Sequence, residues 1–357
     1  IIPISKANIQ ACYSEDTEVL TECGWKKFDE VGNLKIAQYD TKNKKIKFLN
    51  HKGLYVYKYN GTMFHFNSKR NDILVTPEHK MLVKEMRHKE YSIMQAKVIE
   101  YSLCRFLNSA PVDNSTTEYF TLPAIKHKQN RVHPKYTNQH KNRKVTMKLW
   151  LEFLGYYLTE GGIETGSTIG LSQKHGKKAD KIKKCMLDLA KCLECKLTEI
   201  KDDKYVWLKI TNTQLSNYIK QNASGKDDKK TCLLYLSSLS IEQLKILYNA
   251  MLLGDGSSDG KSYGSTSKDL VNLFQAVSCL IGKSASLNLH YDKDYRKNRK
   301  AMYRVALSNK NQPSFNLKLL KKVNYIGKVF CFSTNTGFFV TRRNGKISIQ
   351  GNTLNSQ

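Results

Sequence analysis

The sequence predicts a mixed fold in which an all-β domain is split by an α+β insertion, and three observations predict it. Residues 12 to about 100 carry short period-2 segments broken by Gly, Asn and Asp, among them "TEVLTECGWKKF", "KIKFLNHKGLYVYKY" and "DILVTPEHKMLV". This is the pattern of strands joined by hairpins. From 149 to about 310 helical periodicity takes over, alternating with strands such as "KYVWLKIT" and "MYRVALS". From about 324 the β pattern returns in "NYIGKVFCFSTNTGFFVTRRNGKISIQGN". The order β, mixed, β is what one domain interrupted by another produces.

Composition bounds the function. A chain of 357 residues with 40% hydrophobic and 10% aromatic content can bury two or three cores. Lys and Arg number 59 against 31 acidic residues, a formal charge of +28, which favours a polyanionic partner, nucleic acid being the commonest. No apolar run approaches membrane-spanning length and the start "IIPISKANIQ" does not read as a signal peptide, so no membrane partner is expected. The nine scattered cysteines form no disulfide framework and point to a reducing intracellular compartment, cytoplasm or nucleus. Cys192-Leu193-Glu194-Cys195, with Cys185 one heptad earlier, has no second pair to complete a zinc site. The amphipathic spacing of "ADKIKKCMLDLAKCLECKL" makes these helix-core cysteines. The basic, aromatic segment 104–148 is either an added DNA-contacting module or a solvated linker.

The residues that carry chemistry lie at both ends and in the middle. Cys12 heads "CYSEDTEV", and Thr76-Pro77-Glu78-His79 follows the apolar run "DILV". Cys is the most nucleophilic ordinary side chain, and His moves protons near neutrality. Taken singly, a structural Cys and a satisfied core His are the better readings. Gly351, Asn352 and Thr353 near the end supply a side-chain amide and a hydroxyl. In the middle, "FLGYYLTEGG" (153–162) superposes on "YNAMLLGDGS" (248–257): Gly155 on Ala250, Thr159 on Gly254, Glu160 on Asp255, Gly161 on Gly256. Small residues four apart let two apolar helices pack backbone to backbone. The acids at their ends then meet, and two close carboxylates suit a divalent cation such as Mg²⁺.

"CYSEDTEV", "LVTPEHKML" and "KVFCFSTNTGFFVTRRNGKISIQGN" followed by Thr resemble, in order and position, the successive splicing blocks of an intein. The paired helix ends resemble the LAGLIDADG homing endonucleases that commonly interrupt inteins. The resemblance implies an all-β, horseshoe-like Hint splicing domain split by an α+β endonuclease of two pseudo-symmetric αββαββα repeats. It divides the chain into an N-extein remnant (1–11), Hint parts (12–103 and 319–352), a basic insertion (104–148), an endonuclease (149–318) and a C-extein remnant (353–357). The implied chemistry is an acyl shift onto Cys12, transfer to Thr353, cyclisation of Asn352 and ligation, with Thr76 and His79 acting on the Ala11–Cys12 amide and no cofactor. Glu160 and Asp255 would hold Mg²⁺ for cleavage of double-stranded DNA. Lys229 or Lys230 falls near the family's first-half catalytic lysine. Lys209, Arg296, Lys297, Arg299, Lys300 and Arg304 would meet the DNA from the saddle strands. The chain is read as a monomer whose partners are flanking extein sequence in cis and target DNA. A splicing-only intein with a degenerate endonuclease is the alternative. A freestanding endonuclease leaves the terminal blocks unexplained, and a Hedgehog-like autoprocessing domain has no use for the terminal Asn-Thr.

The chain departs from the family in three places. Gly351 stands where a His usually precedes the terminal Asn, and Gly337 lies near the usual place of a second His; the last His of the chain is His290. Cys331 replaces a common Asp, either to orient or deprotonate a nucleophile or simply as a small buried residue. Gly351 is expected to permit unusual dihedrals, and Arg342, Arg343, Lys346 or a water to supply the missing donor.

Overall fold

The computed structural model describes residues 11–100, 102–125, 141–164, 166–223, 234–292 and 300–351. The fold is mixed α/β, in agreement with the sequence, with five α-helices among the described residues: α1 (Met147–Glu160), α2 (Lys177–Cys192), α3 (Thr213–Asn222), α4 (Ile241–Asp255) and α5 (Lys268–Leu280). The described residues pack as two compact units. One takes the chain up to Asn114, Leu234–Ile241 and everything from Val271; the other takes Ser115–Leu233 and Glu242–Leu270.

The first unit is β-rich. Strands Tyr13–Ser14, Leu320–Ser333, Gly53–Asn67 and Asp72–Val75 close a small barrel. Its longest ladder is antiparallel, from Leu320 opposite Phe66 to Ser333 opposite Gly53. Tyr13 pairs with Phe330 on one side and Val75 on the other. From these strands Tyr13, Phe66 and Phe332 join Phe28, Phe106, Phe315 and Phe339 in one core, with Phe28 and Phe332 stacked at 5.1 Å. A hairpin, Phe338–Arg343 with Lys346–Gly351, ends this unit. Asn344 and Gly345 turn it with φ of 47° and 73°, the two positive angles that a two-residue Asn-Gly turn supplies. Strand Ser284–Tyr291 abuts the hairpin, Ser286 pairing with Lys346.

The second unit runs in the order αββαββα from α1 to α3, its four strands lying in the order Gly161–Ile163, Thr168–Lys174, Tyr205–Thr211, Leu197–Lys201. Along Tyr205–Thr211 the residues Val206, Leu208 and Ile210 are buried, which leaves Tyr205, Trp207 and Lys209 on the other face. On the inward face of α2, Cys185 is buried with Ile182, Met186 and Leu189.

Among the described residues no second full series of the same kind follows. After α4 come one strand (Ser262–Ser265), α5 and the pair Ser284–Tyr291 and Met302–Ser308. The chain then enters Ser314–Asn316, which pairs with Leu103–Phe106, so the interval 309–313 leaves no length for a closing helix. Nor do the described residues of the segment 104–148 stand apart. Cys104 pairs into the first unit, whereas Tyr119–Leu122 pairs with Arg143–Thr146 and Phe120 stacks on Trp150 at 3.8 Å in the second.

Replacing Gly345 tests the hairpin. A Cβ there lies 2.1 Å from the Leu287 carbonyl oxygen and φ is left-handed. Gly345→Ala is expected to cost about 2 kcal/mol or more in urea unfolding; an unchanged midpoint would contradict the turn.

Candidate functional site

At the front of the first unit, Thr76 holds both backbone polar groups of Cys12. The Cys12 amide donates to Thr76 Oγ1 at 2.9 Å, and the Thr76 amide donates to the Cys12 carbonyl at 3.1 Å. The turn after Asp72–Val75 closes with the His79 amide on the Thr76 carbonyl at 3.1 Å, which carries the His79 ring inward. That ring is fully buried and meets Tyr13 edge-on at 4.4 Å. Neither ring nitrogen has a well-formed hydrogen bond. Burial pushes the imidazole pKa down to about 3 against the opposing pull of the Ala11 backbone, so the ring is neutral at pH 7.

Continuing the Tyr13–Phe330 register by one residue sets Cys12 against Cys331. Both are buried cysteines outside any disulfide, in a cluster with Met63, Leu74 and Val329. Hydrogen bonding with Cys331, then burial, pushes the Cys12 thiol well above its ordinary pKa. Cys12 is therefore a thiol at neutral pH and must lose its proton as it attacks.

The other end of the same unit arrives beside it. The Tyr13 hydroxyl donates to the Gly351 carbonyl at 3.0 Å. The Leu82 amide donates to Gln350 Oε1 at 2.8 Å, drawing the final strand against Lys80–Glu85. In consequence a Cβ at Gly351 would lie 2.5 Å from the Lys80 carbonyl oxygen. Gly351 is absent from the positive-φ glycines. The expectation of unusual dihedrals is thus corrected: this glycine is required for space. Asn352 and Thr353 lie outside the described residues.

The basic donors suggested for this junction are engaged elsewhere. Arg342 makes two 2.8 Å contacts to Glu18, reaches Asn272 and Gln275, and stacks over Trp25 at 4.5 Å. Arg343 pairs with Asp16 and Asp72. Lys346 donates to the Ser68 carbonyl at 2.7 Å. Tyr13 was missed because an aromatic residue opening a strand reads as core, and it is core as well.

In the second unit α1 and α4 touch at their small residues. A Cβ on Gly155 would lie 2.5 Å from Ala250 Cβ, and one on Gly254 only 2.0 Å from Thr159 Oγ1. At the helix ends Lys178 Nζ lies 2.5 Å from Glu160 Oε1 and 2.8 Å from the Gly254 carbonyl. Asp255 is exposed and lines a cleft of about 310 Å³ with Thr159, Ser265, Thr266 and Ser267. Carboxylates and a carbonyl are hard oxygen donors, so the set fits Mg²⁺ in kind. The cation balancing Glu160 is the Lys178 ammonium, which no sequence pattern singled out. Among the described residues no three His, Cys, Asp or Glu side chains cluster.

Of the basic residues assigned to DNA, Lys209 pairs with Glu164 at 2.9 Å. Arg304 is exposed opposite Asn288, and Lys300 is exposed. Lys229, Lys230, Arg296, Lys297 and Arg299 lie outside the described residues.

No family model matches the chain. An ATP-dependent Clp protease proteolytic subunit of Chlamydomonas moewusii is 25% identical over 309 residues, 78% of this chain and 28% of that protein. A DNA-directed RNA polymerase subunit beta C-terminal section of Stigeoclonium helveticum is 27% identical over 156 residues, 42% of this chain and 14% of that protein. The chain thus spans less than a third of either relative. Among solved structures, the homing endonuclease I-DmoI in complex with DNA and Ca superposes with a TM-score of 0.36 at 14% identity, covering 48% of this chain and 86% of that one. The AceL NrdHF class 3 split intein, a glutathione-linked splice-inactive variant, gives 0.32 at 9% identity over 96% of this chain and 99% of that one. Superpositions this loose decide nothing about the chain.

The buried imidazole sets a pH dependence. The unfolded chain takes up the His79 proton near its ordinary 6.5, the folded chain only near 3. Unfolded protein therefore binds more protons between these values. The stability that neutral His79 leaves intact above about 6.5 is lost as pH falls toward 3. His79→Gln is expected to lose less stability than the wild type between pH 7 and pH 4.5, read by denaturant titration; equal losses would contradict the burial.

Proposed function

We propose that the chain is a self-splicing element with an inserted endonuclease. The observation that carries this reading is the convergence on Tyr13: its backbone neighbour is Cys12, its ring meets His79, and its hydroxyl holds Gly351, 338 positions away. A reaction that joins the segments flanking Cys12 and Gly351 needs the two held side by side.

The Cys12 thiol attacks the Ala11 carbonyl carbon. The Ala11–Cys12 C–N bond breaks, a thioester forms, and the Cys12 nitrogen takes up the proton. Thr76 holds that nitrogen, and the neutral His79 ring faces the Ala11 backbone, placed to move the proton. The Thr353 hydroxyl then displaces the Cys12 sulfur, giving an ester. The Asn352 side-chain nitrogen next attacks its own carbonyl, releasing the Thr353 amine, which takes the acyl group from its own oxygen. Each bond broken is replaced by one of similar kind, so no cofactor is needed. Cys331, opposite Cys12, serves to orient the nucleophile. Residues 12–103 and 319–352 are the splicing parts, 1–11 and 353–357 the exteins, and the setting is a reducing compartment.

The relatives favour an inserted element. Similarity runs through a minor part of two proteins with unrelated names, as expected when related segments interrupt different hosts.

The segment 149–318, acting as a monomer, is read as the endonuclease. Glu160 and Asp255 would hold Mg²⁺, which supplies charge neutralisation and an activated water at a phosphodiester. Lys209, Lys300 and Arg304 would meet backbone phosphates, with Lys229, Lys230, Arg296, Lys297 and Arg299 assigned by position in the sequence. Two observations favour the splicing-only alternative: an ammonium already sits on Glu160, and the second series of elements lacks a closing helix.

Two comparisons test these readings. Cys12→Ala should abolish thiol-induced release of the N-terminal segment while Asn352→Ala retains it, measured by mass; equal release from both would sink the splicing reading. With a plasmid library, the endonuclease reading expects double-strand cleavage with Mg²⁺, none with EDTA, and a loss of about 100-fold or more in Glu160→Gln. A wild type inert toward DNA leaves splicing alone.

A further inference from the structure

We propose that Tyr13 is a positioning residue for the cyclisation of Asn352: its hydroxyl fixes the Gly351–Asn352 peptide in a block that contains no imidazole. The proposal rests on the splicing reading above.

The residue before Asn352 has no side chain of its own to offer, and the packing forbids one. A Cβ on Gly351 would meet the Lys80 carbonyl oxygen at 2.5 Å and Lys80 Cβ at 3.0 Å. Any donor to this peptide must therefore come from another segment. Arg342, Arg343 and Lys346 are spent on Glu18, on Asp16 and Asp72, and on Ser68. The Tyr13 hydroxyl is already in place at 3.0 Å.

Tyr13 is also held unusually firmly. Its backbone pairs with strands on both sides, at Phe330 and Val75. Its ring is 1% exposed and walled by Phe28 and Phe339 at 5.6 Å each and by His79 at 4.4 Å. In this packing the ring aims its hydroxyl at Gly351. Burial, and then the proximity of Cys331, push the phenol pKa well up against a contact from Thr341. The group therefore stays a hydrogen-bond donor at neutral pH.

The chemistry explains why the Gly351 carbonyl matters. The peptide unit is planar, so holding that carbonyl fixes the plane from which Asn352 departs. In the cyclisation a bond forms between Asn352 Nδ2 and the Asn352 carbonyl carbon. The bond from that carbon to the Thr353 nitrogen breaks, and one Nδ2 proton ends on the released amine. Attack within so short a chain depends on orientation, and a fixed starting plane removes conformers that cannot react. Tyr13 takes no part in the proton transfer.

Tyr13→Phe keeps the ring and removes only the hydroxyl. Two rates are read on the same sample by mass: hydroxylamine-induced release of residues 1–11, which reports the Cys12 thioester, and release of residues 353–357, which reports Asn352. The first should stay within about twofold of wild type, and the second should fall about tenfold. Incorporation of 3-fluorotyrosine at position 13, which keeps a hydroxyl donor, should restore the second rate. An unchanged C-terminal rate overturns the proposal, and so does an equal fall in both rates, which would mean a merely structural role. Should Tyr13→Phe fail to fold, a series of ring-fluorinated tyrosines replaces it, and a C-terminal rate indifferent to donor strength overturns the proposal. Wild-type protein that releases the N-terminal segment but never the C-terminal one removes this proposal and leaves the Cys12 step standing; release of neither removes both.

Discussion

A strand of two residues, Tyr13–Ser14, closes the barrel of the first unit, and the geometry of the site depends on it. Its pairing to Phe330 brings Cys12 against Cys331, and its pairing to Val75 brings the Cys12 amide to Thr76. So short a strand contributes few ladder bonds. Burial of the Tyr13 ring among Phe28, Phe339 and His79 is what keeps it in place. The same ring that anchors the strand carries the hydroxyl to Gly351. Core packing and site geometry are thus one feature.

The final hairpin brings the other end of the unit to this point, and charge pairing holds it there. Arg342 is buried, and burial works against its charge; the Glu18 carboxylate offsets that effect. Desolvating such a pair is costly unless its hydrogen bonds are satisfied, and Asn272 and Gln275 take up remaining guanidinium donors. Arg343 joins Asp16 and Asp72, whose carboxyls are held below their ordinary range despite burial. These pairs engage Arg342 and Arg343, two of the basic residues that the sequence offered for the junction. They also couple the hairpin to α5 through Asn272 and Gln275, within the same unit.

Much of this was legible in the sequence where local rules decide. Alternation marks the strands, Asn344-Gly345 marks the hairpin turn, and small residues four apart mark Gly155 and Gly254 as contact points. Only the resemblance to splicing blocks singles out Thr76 and His79, and it says nothing of the depth to which His79 is buried. The features that were not legible depend on distant neighbours. Gly351 reads as a flexible residue until the Lys80 backbone is seen against it. Tyr13 reads as core until its hydroxyl is traced. Lys178 lies in a run of basic residues, and only folding chooses it for Glu160. Arg342 and Arg343 look like free donors until their carboxylates, more than three hundred positions earlier for Glu18 and Asp16, are brought to them. The missing closing helix results from strand Ser314–Asn316 being claimed by Leu103–Phe106, a pairing no local pattern announces.

Splicing requires that the segments flanking Cys12 and Asn352 react with each other. The most direct measurement is the mass of the small products after the purified chain is incubated under reducing conditions. The expected products are a peptide in which Ala11 is joined to Thr353 and an excised protein that ends in a succinimide. An intact mass throughout, or residues 1–11 and 353–357 released only as separate pieces, would contradict it.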